Sequence, residues 1–377
     1  MKTKTRLSSF LYSFVFLVVL VSISLASGTE ETLNGKEKPL CLGIGNQMNP
    51  AISEDFVVWQ DERDGNFDIY LYDFSTGRET ALISDEKKDE IEPAISGNRI
   101  AFVKSEGKNS DIYLYDIPTK KQTKICLEKH DQREPDISGK YIVWTDERST
   151  DLDVYMFDIE TGTESLVYSG PGDQSQPAIS GDIIVWRDSR NGNDDIYMYD
   201  IKTGKVKPLV TDPAEQSNPA IEGNIVVWED RRNGDLDIYM YDLSTGEETM
   251  VKKSPGGQKA PEISDGRIVW ADSENKGSNI HIYDIASGEE KTVSTSSEYQ
   301  GNPVISKNRI VWENPSKGVY DLYLFEEEEE VSLSNEEDES NSEPVTKENG
   351  EEKKSPLGIT PLLLSMGTAC AIFRRRN

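Results

Sequence analysis

Residues 177–210 read PAISGDIIVWRDSRNGNDDIYMYDIKTGKVKPLV. The stretch predicts four short strands separated by turns. Ala178–Ser180 precedes Ile183–Arg187, Asn191-Gly192 turns the chain into Asp195–Asp200, and Thr203-Gly204 leads to Val206–Val210. The second strand is apolar at successive positions, Ile183, Ile184, Val185 and Trp186, so both of its faces must be covered. A four-stranded antiparallel sheet stacked between two like sheets meets that demand, whereas a sandwich strand with one wet face would alternate.

The stretch is one copy of a repeat. Pro50, Pro93, Pro135, Pro177, Pro219, Pro261 and Pro303 follow at one interval of 43 and five of 42 residues. Nine residues after each proline stands Trp59, Phe102, Trp144, Trp186, Trp228, Trp270 or Trp312, which uses all six tryptophans. Eleven further on come Tyr70, Tyr113, Tyr155, Tyr197, Tyr239, His281 and Tyr323. A period of this length fits four-stranded propeller blades rather than helix-pair solenoids. The fold expected is all-β: a seven-bladed β-propeller of four-stranded antiparallel blades over residues 36–326, with the Trp and Tyr columns as its core.

Closure is expected from the ends of the repeat. The seventh copy runs into a glutamate tract after Tyr323, where its outermost strand is due. Before the first copy, KEKPLCLGIGNQMNP (Lys36–Pro50) aligns without a gap to KVKPLVTDPAEQSNP (Lys205–Pro219), so the N-terminal strand is expected to complete the last blade. Cys41 and Cys126 then fall in outer strands of different blades, on the order of 30 Å apart, and are expected to be free thiols. With Cys370 they form no disulfide framework.

Residues 1–26 read as an export signal, a basic start followed by the apolar run Phe10–Ala26. Residues 357–373 read as a minimal membrane span with Arg374, Arg375 and Arg376 on its cytoplasmic side. Between propeller and span, residues 327–355 form an acidic, low-complexity stalk unable to bury a core. These readings place the propeller outside the cell, anchored to the membrane. The net charge of −28 excludes nucleic acid as a partner, because phosphates need Lys and Arg. It suits solubility, and an acidic face also attracts cations or a basic partner.

Polar residues also recur in register with the repeat. Three residues before each proline stand Gln47, Glu90, Gln132, Gln174, Gln216, Gln258 and Gln300, expected as a ring around one mouth of the channel. They suit either a polar collar for a ligand or side chains satisfying their own connecting loops. Asp61, Asp146, Asp188, Asp230 and Asp272 follow the aromatic by two, and Arg63, Arg148, Arg190 and Arg232 by four, while repeats two and seven depart from this pair. With Asp68, Asp153, Asp195 and Asp237 they suggest oxygen-rich cation loops, but the spacing matches no calcium loop and arginines compete for the carboxylates. Turn capping and inter-blade salt bridges are expected instead. No metal, cofactor or catalytic set is expected: the two histidines, His130 and His281, lie in different repeats, and no G-x-S-x-G elbow occurs.

The recurring phrases P-x-I-S-G, I-V-W-x-D-x-R, D-I-Y-x-Y-D and T-G resemble the TolB-like propeller repeat, a relative of the WD type, over nearly all of 36–326. Seven blades depart from the six usual in TolB, so the resemblance does not carry TolB's periplasmic partners over to this chain. With the tail SPLGITPLLLSMGTACAIFRRRN the whole resembles TolB-like surface proteins of methanogenic archaea, although the Pro-Gly-Phe sorting signature is missing. The resemblance also implies what to look for in an enzyme, since some TolB-like propellers are uronate lyases with a histidine-rich metal site and others cap serine peptidases. Together these readings favour a non-enzymatic module that binds an extracellular protein, peptide or glycan. The alternatives are a carboxylate-only carbohydrate-active enzyme and a structural envelope component. Symmetry breaks at Glu90, at blade two's missing Asp–Arg pair and at His281 mark where local function is expected.

Overall fold

The computed structural model describes residues 31–328 apart from 127, 274–276, 297 and 317, with the backbone alone at 106 and 316. The predicted export signal, most of the stalk and the C-terminal span lie outside these residues. Among the described residues no helix is long and apolar enough to cross a membrane.

The described chain forms seven four-stranded antiparallel sheets. In the blade of the opening quotation the strands are Gln174–Ser180, Ile183–Asp188, Asp195–Asp200 and Lys205–Val210, paired in sequence order. The inner strand begins four residues earlier than the sequence suggests. It reaches back across a bulge, where the register shifts between Ser175 and Ala178. Proline has no N–H to offer a ladder, so a bulge is where an inner strand tolerates Pro177.

The last blade is closed as the alignment predicts. Gly35–Cys41 lies antiparallel beside Val319–Glu327, with Lys36 opposite Glu326 and Lys38 opposite Leu324. The first and last blades share one apolar cluster, in which Cys41, Leu322 and Leu324 of the last meet Val57, Trp59 and Tyr70 of the first.

All six tryptophans and Phe102 are fully buried. Each faces its repeat partner directly across the second and third strands, as Trp186 faces Tyr197 and Trp228 faces Tyr239. Ring centroids in these pairs are 5.7–6.3 Å apart. The indole column belongs to the seams between blades. Trp228, for instance, packs with Val185, Ile196, Met198 and Val210 of the blade before it. Both faces of the second strand are therefore dry, which is why its apolar residues do not alternate.

Candidate functional site

The glutamine column is enclosed. Gln47, Glu90, Gln132, Gln174, Gln216, Gln258 and Gln300 are each 0–1% exposed. Four of the amides bond their own connecting loops: Nε2 of Gln47, Gln132, Gln174 and Gln216 donates to the backbone carbonyls of Gly45, His130, Gly172 and Ala214 at 2.6–2.9 Å. Gln258 reaches the Ser254 hydroxyl at 2.6 Å.

Glu90 breaks this column together with a second position. Six of the seven column residues face the position two after the aromatic: Gln132 faces Asp146, Gln174 faces Asp188, and Glu90 faces Lys104. Lys104 Nζ lies 2.7 Å from Glu90 Oε1 and 3.3 Å from Asp85 Oδ2. Burial pushes the Glu90 carboxyl up, and its bond to Lys104 offsets part of that. Phe102 completes the exchange, because it has no indole N–H to bond an aspartate there. Glu90 and the missing Asp–Arg pair are thus one compensated departure.

The Asp–Arg pairs lie within single blades, where inter-blade salt bridges were expected. Trp Nε1 donates to Asp Oδ2 at 2.8–3.0 Å in the pairs Trp59–Asp61, Trp144–Asp146, Trp186–Asp188 and Trp228–Asp230. The arginine two residues on caps the turn with its backbone N–H and donates Nε to Oδ1 of the same aspartate at 2.7–2.9 Å. Its guanidinium lies 3.8–4.3 Å over the repeat tyrosine. The neighbouring blade joins through its outer strand or the residues just after it: Arg63 donates to the thiol of Cys41, in Gly35–Cys41, and Arg148 to that of Cys126, just past Lys121–Lys124. Burial pushes both thiols up, Cys126 to about 12, so neither is a reactive thiolate. Both are free.

A different ring faces the channel. Asn49, Glu92, Glu134, Gln176, Asn218, Ala260 and Asn302, each preceding its repeat proline, all have φ between 47° and 54°. The left-handed bulge aims most of these side chains into the lumen, where Asn49, Glu92, Glu134, Asn218, Ala260 and Asn302 line one cavity of about 330 Å³. Their backbone N–H groups stitch blade to blade. Glu134 N donates to Glu92 Oε2 at 2.7 Å, Gln176 N to Glu134 Oε2 at 2.8 Å and Asn218 N to Gln176 Oε1 at 3.1 Å. Elsewhere the residue after the aromatic in the preceding blade serves as acceptor: Gln60 for Glu92, Glu229 for Ala260 and Glu313 for Asn49.

Further along the inner strands, a cavity of about 550 Å³ is walled largely by their Pro-Ala-Ile segments. Four carboxylates also line it, Glu134, Asp136, Glu222 and Glu262, and two of them break the column that follows the repeat proline. The residue after the repeat proline is Ala51, Ala94, Asp136, Ala178, Ala220, Glu262 and Val304 in turn. Asp136 accepts the backbone N–H groups of Ile137 and of Ile179 in the next blade, at 2.8 and 2.7 Å. Among the described residues nothing donates to Glu262. Protein encloses it while channel solvent still reaches it. Desolvation, with the charge of Asp136 added, pushes its carboxyl up to about 8, a shift that water in the lumen moderates. Glu222, in the serine column of the same strands, is a structural substitute: Ser96, Ser138 and Ser180 accept the N–H of the next blade's glycine, and Glu222 accepts those of Asp265 and Gly266. The Asp136 and Glu262 departures are visible in the sequence as breaks in the column that follows the repeat proline.

His281 and His130 are not brought together. His281 is buried against Trp270 with Nδ1 3.1 Å from Glu290, whereas His130 lies in the loop whose carbonyl holds Gln132. Among the described residues no group of three His, Cys, Asp or Glu is placed to hold a metal ion.

No curated protein matches the chain by sequence. Solved structures share the fold. The β-propeller domain of the Trilobed protease from Pyrococcus furiosus is 18% identical, covers 75% of this chain and 94% of its own, and superposes with a TM-score of 0.61. An oligogalacturonate lyase from Vibrio parahaemolyticus is 13% identical over 78% of this chain and 97% of its own, with a TM-score of 0.61. An acylaminoacyl peptidase of Pyrococcus horikoshii is 16% identical, with a TM-score of 0.58, over 75% of this chain. The chain spans about half the length of that peptidase, 51%. At these identities the likeness is one of fold. The family model described as TolB beta propeller domain matches residues 134–342, more than half of the sequence, and the chain belongs to that family.

Proposed function

We propose that the chain is an exported, membrane-anchored interaction module whose lumen receives a basic segment of an extracellular protein or peptide. The observation that carries the reading is the break in sevenfold symmetry at Asp136 and Glu262. They place two carboxylates, close enough to feel each other's charge, on the wall of a cavity that Glu134 and Glu222 also line. A shared packing role would repeat in every blade, and Ala or Val serves that role in the other five. Glu92 and Glu134 at the rim add negative potential along the same path, which steers cations inward. Residues 1–26 and 357–376 support the exported, anchored setting by their composition.

A second reading draws on the same pair. Two carboxyls in one cavity, one of them raised to about 8, is a pattern that serves glycosidic acid catalysis, and one fold neighbour is described as an oligogalacturonate lyase. A peptide array graded by charge, run beside hydrolysis and lyase assays on a polysaccharide panel, separates the two. Retention that rises with lysine and arginine content and weakens in Asp136→Asn/Glu262→Gln supports the module. Turnover of a polymer that the same variant abolishes supports the enzyme instead.

A further inference from the structure

Links carry the chain from the outer strand of one blade to the inner strand of the next, and the two that flank blade seven differ from the rest. In four links the residue before the glutamine column accepts a backbone N–H from the hairpin of the preceding blade. Asp89 takes that of Phe67, Asp131 that of Ser110, Asp173 that of Leu152 and Asn46 that of Tyr320, at 2.8–3.2 Å. Tyr299 holds this place in the link to blade seven and brings no carboxylate or amide to it. Its ring lies instead over Gly301, where an added Cβ would come within 2.7 Å of the ring. Every other blade has a side chain at the Gly301 position, so Tyr299 and Gly301 are one paired departure. It leaves Tyr299 44% exposed beside the lumen rim, which Asn302 lines next in the chain.

The link on the other side of the blade presents Leu42 and Ile44, 62% and 87% exposed. This loop is pinned. Gly45, at φ 91°, approaches Glu62 and Arg63 so closely that a Cβ would sit 3.0–3.1 Å from their backbone. Asn46 accepts the Glu62 N–H at 2.9 Å and donates its amide to Glu62 Oε2 at 2.7 Å, while Gln47 Nε2 holds the Gly45 carbonyl at 2.9 Å. Two aliphatic side chains are thus held in water on a fixed frame, with the ordering already met before any partner arrives. Leu42, Ile44 and Tyr299 are three of the five large apolar side chains exposed among the described residues; the other two, Leu166 and Met250, stand singly on outer strands. Scattered exposure is ordinary, whereas a cluster on one face marks a contact surface.

We infer that the link face of blade seven docks an extended segment of a partner polypeptide that sets an aliphatic or aromatic side chain beside a lysine or arginine. Leu42 and Ile44 take the apolar side chain, and Tyr299 offers its ring to the cation. Charge selects the cation: Glu62 borders the Ile44 loop, Glu298 precedes Tyr299, and Glu313 faces Gly301 across the strands. Arg63, beside the same loop, is already committed to Asp61 and Glu79. Burial pushes the Tyr299 hydroxyl up and the charges of Glu313 and Glu229 add to it, as fits a phenol turned toward those carboxylates. The surface includes neither Asp136 nor Glu262 and does not rest on the reading of the lumen.

The test is an array of peptides carrying a central Leu-Phe pair flanked by lysines, probed with the full-length chain. Companion peptides replace the pair by Ser-Ser or the lysines by glutamates. Retention should need both the apolar pair and the lysines. Leu42→Ser/Ile44→Ser should weaken it about tenfold or more, Tyr299→Ser several-fold, and Asp136→Asn/Glu262→Gln not at all. Both residues of the first variant are exposed, so its melting temperature should match that of the native sequence. Retention of the serine or glutamate peptides as well, retention undiminished in Leu42→Ser/Ile44→Ser, or no retention would overturn the assignment. Loss in the Asp136→Asn/Glu262→Gln protein alone would assign the peptide to the lumen and overturn it too, whereas weakening in both variants would uphold the surface and extend its ligand inward. Sedimentation covers the remaining occupant: a native dimer that Leu42→Ser/Ile44→Ser dissociates would give the face to a second copy of the chain. The peptide comparisons are made on the unaltered protein and hold even if a variant fails to fold.

Discussion

Glu90 and Lys104 face each other across the first two strands of the second blade with 2.7 Å between carboxylate and ammonium, at a place where Gln132 and Asp146 or Gln174 and Asp188 stand in other blades. Two departures from the repeat that look separate in the sequence are one ion pair in space. Glu90→Gln leaves the nearly buried Lys104 with Asp85 as its carboxylate among the described residues, and is expected to lower stability by about 2–3 kcal/mol in denaturant unfolding. Glu90→Gln/Lys104→Met, which removes both charges, should recover most of that loss. A double variant as unstable as the single one would show that the pair is not coupled.

Arg148 is held by Asp146, by Glu164 and over the Tyr155 ring at 3.9 Å. Arg148→Ala leaves the fully buried Asp146 with the indole donor, the backbone N–H of residue 148 and a weak thiol contact, and should cost about 3 kcal/mol. Lysine should restore only part of this, since it lacks the fork that bonds both carboxylate oxygens. Urea midpoints of the three proteins check the order.

Trp186 fills the seam between blades three and four, packed with Val143, Val154 and Val167. Trp186→Ala should cost about 3–5 kcal/mol and lower the melting temperature accordingly. An unchanged melting temperature would contradict the seam packing.

The Glu262 carboxyl sets a pH dependence. Its value is about 8 in the fold against an ordinary 4.5, so the folded chain holds this proton more tightly than the unfolded chain. Its contribution to stability is present below about pH 4.5 and is lost as pH rises through about 8. Melting temperatures measured from pH 5 to 9 should therefore fall more steeply in the native sequence than in Glu262→Gln. Parallel curves would show that lumen water leaves this carboxyl unperturbed.

Much of the fold is written in the repeat. Pro177, Trp186, Tyr197 and Gly204 mark the bulge, seam, cross-strand pair and outer turn of a blade, and the alignment of Lys36–Pro50 with Lys205–Pro219 marks the closing strand. The site was less legible, for a physical reason. Gln47 and its column recur because each satisfies buried backbone in its own loop, so repetition reported packing. The lumen side chain is set by the left-handed φ of the residue before proline, as in Glu134, and that position varies in type from blade to blade. Asp136 and Glu262 were visible only as exceptions in a column of small residues. The coupling of Glu90 to Lys104 needed the strand register.

The lumen reading is tested most directly by calorimetric titration of the full-length chain with pentalysine at low salt and pH 8.5, beside Asp136→Asn/Glu262→Gln. The variant removes two charges from a net of −28, so diffuse attraction to the surface stays nearly unchanged. Saturable one-to-one binding by the native sequence, at least tenfold weaker in the variant, is the predicted result. Equal binding by both proteins, or none by the native sequence, would contradict it.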